Sequence, residues 1–134
     1  NNINSYNGFL NIYNLNNNFN INVDENSKSL VLAFEVGNKK FLIMGDAPKA
    51  VEFKILENNP KLNVDILKVG HHGSNTSSSI EFLSKLKPEE AVISCGYKNI
   101  YNHPSKETLD SLRKCNIRVR RTDLEGTISY VFLP

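Results

Sequence analysis

Tryptophan is absent from this chain, methionine occurs once and cysteine twice. Cys95 and Cys115 cannot build a disulfide framework, and they lack the paired spacing of a structural zinc site. They are expected as unlinked thiols in the core or at a helix end, the habit of free cysteine. A single bridge between them stays open in an oxidising compartment. No apolar run approaches the roughly 18 residues that cross a bilayer. No basic segment followed by an apolar one opens the chain, so no signal peptide is visible. A dominant charge is also lacking. Sixteen Lys and Arg against 14 Asp and Glu leave a net +2, too mild to argue nucleic-acid binding.

What remains is an ordinary soluble composition, 40% hydrophobic and 22% charged over 134 residues, the size of one domain. Asparagine is the excess: 12 of the first 26 residues. Such tracts mark disorder or a biased genome, and the persisting hydrophobic pattern favours the second. Gly8–Leu15 reads as a strand, and Phe19, Ile21 and Val23 alternate with asparagines as a half-buried strand does. A polar loop follows over residues 24–28. Ser29–Val36 and Lys40–Met44 then form a hairpin across Gly37-Asn38.

After Gly45-Asp46 the period changes. Ala47, Val51 and Ile55 fall four apart on one helix face, with Pro48 in the first turn and Asn58-Asn59-Pro60 as the stop. Val64–Val69 is the next strand and residues 70–75 a loop. Ser78 and Glu81 have capping-box spacing, with Ile80, Leu83 and Leu86 as the core face of the helix behind them. Ala91–Cys95 is a strand, and Leu109, Leu112 and Cys115 mark a third helix. Ile117–Arg121 and Thr127–Leu133 close the chain as strands around a turn at residues 123–126. The expected fold is therefore α/β: a mixed sheet with antiparallel front hairpins and a βαβαβα middle whose strands are parallel. No internal repeat or domain linker is visible.

In such a sheet ligands collect at the carboxyl ends of the parallel strands. One strand ends in Gly45-Asp46, the next in Gly70-His71-His72-Gly73-Ser74, and the third leads to Asn102-His103-Pro104-Ser105. All three histidines and one carboxylate thus share one edge. A hard oxygen ligand with imidazoles suits zinc, manganese or iron better than calcium or magnesium. Each piece also has a plainer explanation. Asp46 is placed to cap the following helix, His71 and His72 to be polar loop residues, and His103 to precede a helix-opening proline. The shared location favours a site. Gly70 and Gly73 give the turn its tightness and leave the rings unshielded.

These segments together carry a family resemblance. Asn26–Leu32, Phe41–Ala47, Asp65–Ser74, Ile93–Gly96, His103–Ser105 and Arg121–Ile128 resemble the C-terminal part of the metallo-β-lactamase-fold domain of the ComEC/Rec2 competence proteins, over roughly residues 24–130. The pairing of a strand ending in Gly-Asp with Lys68-Val69-Gly70-His71-His72-Gly73-Ser74 is the specific part. The resemblance implies one half of an αββα fold and a dinuclear-metal phosphodiesterase or nuclease acting in DNA uptake for natural competence. Asp46 would bridge two metals, His71 or His72 would complete the second, and His72 and His103 would bind substrate or move protons. Ser74 and Ser105 are placed to meet a phosphate. The implied setting is a soluble domain on the extracytoplasmic side of a bacterial membrane protein, with single-stranded DNA as partner.

One departure stands out. The family's first metal motif is a histidine-rich run in the first half of the domain, and no histidine precedes His71. A two-metal centre needs on the order of six protein ligands. The expectation is a half-domain, inactive alone, binding zinc or manganese weakly or not at all. Its missing N-terminal half, or a second copy in a homodimer, would cover the exposed face. The competing expectation is a non-catalytic α/β module holding nucleic acid or protein. In it Arg118 and Arg120, on one strand face near Arg113, Lys114 and Arg121, would touch phosphates, although a solvated outer strand explains them as well. A receiver or flavodoxin-like module fits less, because only Asp46 stands at the first strand end.

Overall fold

The computed structural model describes residues 2–3, 10–14 and 25–132. Among the described residues, seven strands form one mixed sheet in which spatial order repeats chain order. β1 (Asn2–Ile3), β2 (Leu10–Asn14), β3 (Leu32–Val36) and β4 (Lys39–Ile43) are antiparallel neighbours. β5 (Ile66–Lys68), β6 (Glu90–Ile93) and β7 (Arg118–Arg121) continue the sheet in parallel. Three helices make the crossovers: α1 (Lys49–Asn58), α2 (Ile80–Leu86) and α3 (Lys106–Lys114). The α/β expectation therefore stands. The strand expected through Phe19, Ile21 and Val23 lies outside the described residues.

Local chemistry accounts for most boundaries. The β3–β4 hairpin turns at Gly37, whose φ of 59° is left-handed backbone that glycine adopts without a Cβ clash. On α1, Val51 and Ile55 are fully buried, as their spacing required, and Asn59 ends the helix. α1 packs against α2 and α2 against α3, so the helices form a layer on one face of the sheet. Between them and the strands lie Leu42, Met44, Leu67, Val69, Phe82, Leu83, Leu86, Ile93 and Leu112, each at most 1% exposed. Burying such side chains supplies about 1.5–3 kcal/mol each before entropy is counted.

Five expectations change. The N-cap of α2 is Ser79, not Ser78: its hydroxyl accepts the Phe82 N–H at 3.2 Å. Ile80 is 43% exposed, and Phe82 takes the core position assigned to it. The turn expected over residues 123–126 includes a one-turn helix, α4 (Thr122–Glu125). The last segment forms no strand over residues 127–132. It packs through side chains instead. Tyr130 and Phe132 set their rings edge-on to Phe41, which also stacks on Phe34. Before β3, residues 25–28 make one 3-10 turn where a loop was expected.

A buried carboxylate ties two of the helices together. Glu52 of α1 is 1% exposed. It accepts the Ser78 N–H, the Ser79 N–H at 3.0 Å and the Ser79 hydroxyl at 2.8 Å. Burial pushes its pKa up, while those donors and Lys49 pull against the rise.

Candidate functional site

The carboxyl ends of β4, β5 and β6 converge as the sequence required. β4 leads into Gly45, whose φ is 57° and whose carbonyl accepts the His71 N–H at 3.0 Å. The chain leaving β5 makes a tight 3-10 turn over Gly70–Gly73. His71 and His72 both take left-handed backbone there, with φ of 46° and 53°. Each such residue costs on the order of 1–3 kcal/mol, and persists only where its surroundings over-determine it. The surroundings are visible. A Cβ on Gly70 would sit 2.9 Å from the Ala47 carbonyl, and one on Gly73 would sit 2.6 Å from the Pro104 Cβ. Ser77 closes the turn by donating its hydroxyl to the Gly70 carbonyl at 2.8 Å.

This turn brings the four expected side chains together. His72 Nε2 lies 3.5 Å from Asp46 Oδ1, and both side chains are nearly half exposed. The His71 ring centre is 6.5 Å from that of His72 and 5.8 Å from that of His103. Asp46 does not cap α1: the N-cap position is Pro48, with no side-chain cap. Its carboxylate is left to the site, and its N–H donates to the Ser29 hydroxyl at 3.2 Å.

Hydrogen bonds assign the ring protons. His72 Nδ1 sits 2.6 Å from the Ser94 carbonyl, an acceptor only, so Nδ1 carries a proton, and in the neutral ring Nε2 is the bare nitrogen, 3.5 Å from Asp46 Oδ1. His71 Nδ1 faces the Thr76 hydroxyl at 3.2 Å. That hydroxyl donates onward to Ser74 Oγ at 3.1 Å, so it accepts from His71, and the ring has the same tautomer. His103 differs. Its Nδ1 is buried with no partner among the described residues. An N–H there would be an unsatisfied donor, so the neutral ring keeps its proton on Nε2. Burial, with His71 and His72 nearby, holds its pKa below the ordinary histidine value.

The serines turn inward. Ser74 is 5% exposed and accepts from the Thr76 N–H and hydroxyl. Ser105 caps α3, accepting the Thr108 N–H at 3.2 Å. Both hydroxyls are thus engaged in holding loops. Four of the five late basic residues are matched by acids: Arg118 with Glu90, Arg120 with Glu125, Arg121 with Asp123 and Arg113 with Asp110. That pairing leaves little of the cationic face that the non-catalytic module needs. Cys95 and Cys115 are unbridged, and burial, aided by Asp123, pushes the Cys95 thiol above its ordinary range.

Two contributors were not singled out from the sequence. Asn99 clamps the loop before His103 by donating to the Gly96 and His103 carbonyls at 3.0 and 2.6 Å and accepting the His103 N–H at 2.9 Å. Lys68, at the end of β5, has its pKa lowered by burial, with Asp46 opposing. Its place directly before Val69-Gly70-His71 was the available clue.

A carboxylate beside a bare imidazole nitrogen has the right chemistry for a divalent ion of the zinc or manganese kind. The number falls short. Among the described residues no three His, Cys, Asp or Glu side chains converge to hold one.

No family model matches the chain. It is similar to curated proteins. It is 43% identical over 106 residues to ComE operon protein 3 of Bacillus subtilis, covering 79% of this chain and 14% of that protein. It is 41% identical over 110 residues to Competence protein ComA of Neisseria gonorrhoeae, covering 81% and 16%. It is 33% identical over 108 residues to Recombination protein 2 of Haemophilus influenzae, covering 81% and 14%. The chain thus spans about one seventh of the length of these relatives.

Proposed function

Because this chain belongs to the ComEC/Rec2 family of competence proteins, matching its members over about four fifths of its length, we propose that it is the C-terminal half of a metallo-β-lactamase-type domain. In this reading the domain is a metal-dependent phosphodiesterase that cuts DNA during uptake. None of the described helices is long and apolar enough to cross a membrane, which suits a domain standing outside the bilayer of a membrane-bound parent, on its extracytoplasmic side.

The observation that carries the reading is the His72–Asp46 pair. Its imidazole is oriented by the Ser94 carbonyl so that the bare Nε2 and a carboxylate oxygen lie 3.5 Å apart. Metal-binding histidines characteristically donate their second nitrogen to a carbonyl or carboxylate. Asp46 and His72 would hold the ions, with His71 behind them. Divalent metal there would polarise the phosphodiester and lower the pKa of water. The remaining ligands come from another segment of the parent, as the donor count demands, so this chain alone is inactive. His103, neutral with a proton on Nε2, donates a hydrogen bond to a phosphoryl oxygen. Glu52, Ser77 and Asn99 hold the loops that aim these rings.

Hydrolysis of DNA by the full-length parent, with manganese or zinc supplied, tests this. Asp46→Ala and His72→Ala are each expected to lower the rate at least about 100-fold, while His71→Ala lowers it less. A parent protein that cuts DNA equally well without Asp46 overturns the proposal.

A further inference from the structure

Beside the histidines stand three exposed side chains of the loop before His103 that none of those roles uses. Tyr97, Ile100 and Tyr101 are 71%, 85% and 72% exposed. Three large apolar side chains in five residues, all toward water, await a partner surface. The loop is nonetheless fixed in shape, because the Asn99 side chain spans it from Gly96 to His103 with three hydrogen bonds. Tyr101 lies nearly parallel to the His103 imidazole, with centres 5.9 Å apart and planes 21° apart. One face of the tyrosine is thereby backed by a ring of the site, while most of its surface meets solvent. Lys98 places its ammonium 5.3 Å from the Tyr97 ring centre, adding positive charge to the same loop.

A cleft of about 230 Å³ joins this loop to the site, lined by His72, Cys95, Gly96, Asn99, Tyr101 and His103. It is smaller than the roughly 300–1,000 Å³ that drug-sized ligands occupy, and so has room for one ring system.

We propose that residues 96–103 form a stacking platform, on which Tyr101 holds one unpaired nucleobase of a DNA strand next to the phosphate handled by His72. A base inside a duplex has both faces covered by its neighbours and offers none to Tyr101. A single strand offers one at each nucleotide, and an aromatic ring with a nearby cation is the usual way proteins take it. The platform thus selects single-stranded over duplex DNA at the cutting site. The inference rests on the phosphodiesterase reading for the place of the phosphate, and it deepens that reading by naming the side chain that would hold the base.

Fluorescence anisotropy of this chain with a short labelled oligothymidylate, and with an abasic strand of equal length, separates base from backbone. The base-bearing strand is expected to bind about tenfold more tightly. Tyr101→Ala is expected to erase that margin and Tyr101→Phe to keep it. Equal affinity for the two strands, or a margin that survives Tyr101→Ala, overturns the platform. So does a Tyr101→Ala variant that changes only self-association in sedimentation, which would make the loop a protein contact. Asp46→Ala in the parent, assayed for abasic-strand hydrolysis, reports on the phosphodiesterase reading separately, because that substrate has no base to stack.

Discussion

Replacing Glu52 with alanine should unfold much of the site without touching a histidine. The carboxylate is 1% exposed and accepts the N–H groups of Ser78 and Ser79 together with the Ser79 hydroxyl. The hydroxyl rotates to another acceptor, but the two amides do not. Each buried donor left unpaired costs about 1–3 kcal/mol, so the loss is about 4 kcal/mol, near half of the roughly 5–15 kcal/mol a domain has. Glu52→Gln keeps one acceptor oxygen and should lose about 2 kcal/mol. Urea denaturation at neutral pH measures both, and with a slope of about 1–3 kcal/mol per molar the alanine midpoint falls by about 2 M. The pH dependence gives a second readout. Because burial raises the Glu52 pKa in the folded state, the native protein binds that proton more tightly than the unfolded chain. The part of its stabilisation linked to that proton is full below the ordinary carboxylate pKa and is lost as pH rises through the folded value. Glu52→Gln should flatten that fall. An alanine variant within about 1 kcal/mol of the parent chain, with the same pH slope, refutes the reasoning.

Further outcomes follow from other contacts. Gly73→Ala combines a φ of 81° with a Cβ 2.6 Å from Pro104, and should cost about 2–5 kcal/mol in the same urea assay. Lys87 ends α2 in left-handed backbone at φ 49°, so Lys87→Gly should raise stability by about 0.5–1 kcal/mol, read as a higher melting temperature. Tyr130 donates to Glu90, and its pKa is pushed up to about 12, chiefly by burial. Its contribution is complete below pH 10 and fades as pH climbs toward 12, so an alkaline denaturation series should show a decline that Tyr130→Phe lacks. Zinc titrated calorimetrically into this chain should give a weak single-site isotherm that Asp46→Ala removes; a tight two-site isotherm would contradict the ligand count.

Sequence carried the site better than the helix ends. The Gly-Asp and Gly-His-His-Gly runs follow strands whose apolar cores mark their boundaries, and parallel topology then forces those ends onto one edge. The α2 cap was misplaced by one residue because Ser77, Ser78 and Ser79 offer three equivalent hydroxyls, and Glu81 supplied a tempting box. What selects among them is Glu52, 27 residues earlier than Ser79, which no local pattern reveals. Over residues 127–132, expected as a strand, alternate side chains do face inward, since Tyr130 and Phe132 both meet Phe41. Alternation reports which side chains face inward and is silent about a backbone ladder. The roles of the imidazole nitrogens depend on the Ser94 carbonyl and Thr76, partners fixed by folding alone.

The agreement between spatial and sequential strand order bears on how the molecule comes into being. As the polypeptide leaves the ribosome, each described strand after β1 finds its docking edge already laid down, and none of the described strands has to thread between two earlier ones. Assembly can keep pace with translation, and the histidine turn is set only once β6 arrives with Ser94 to receive it.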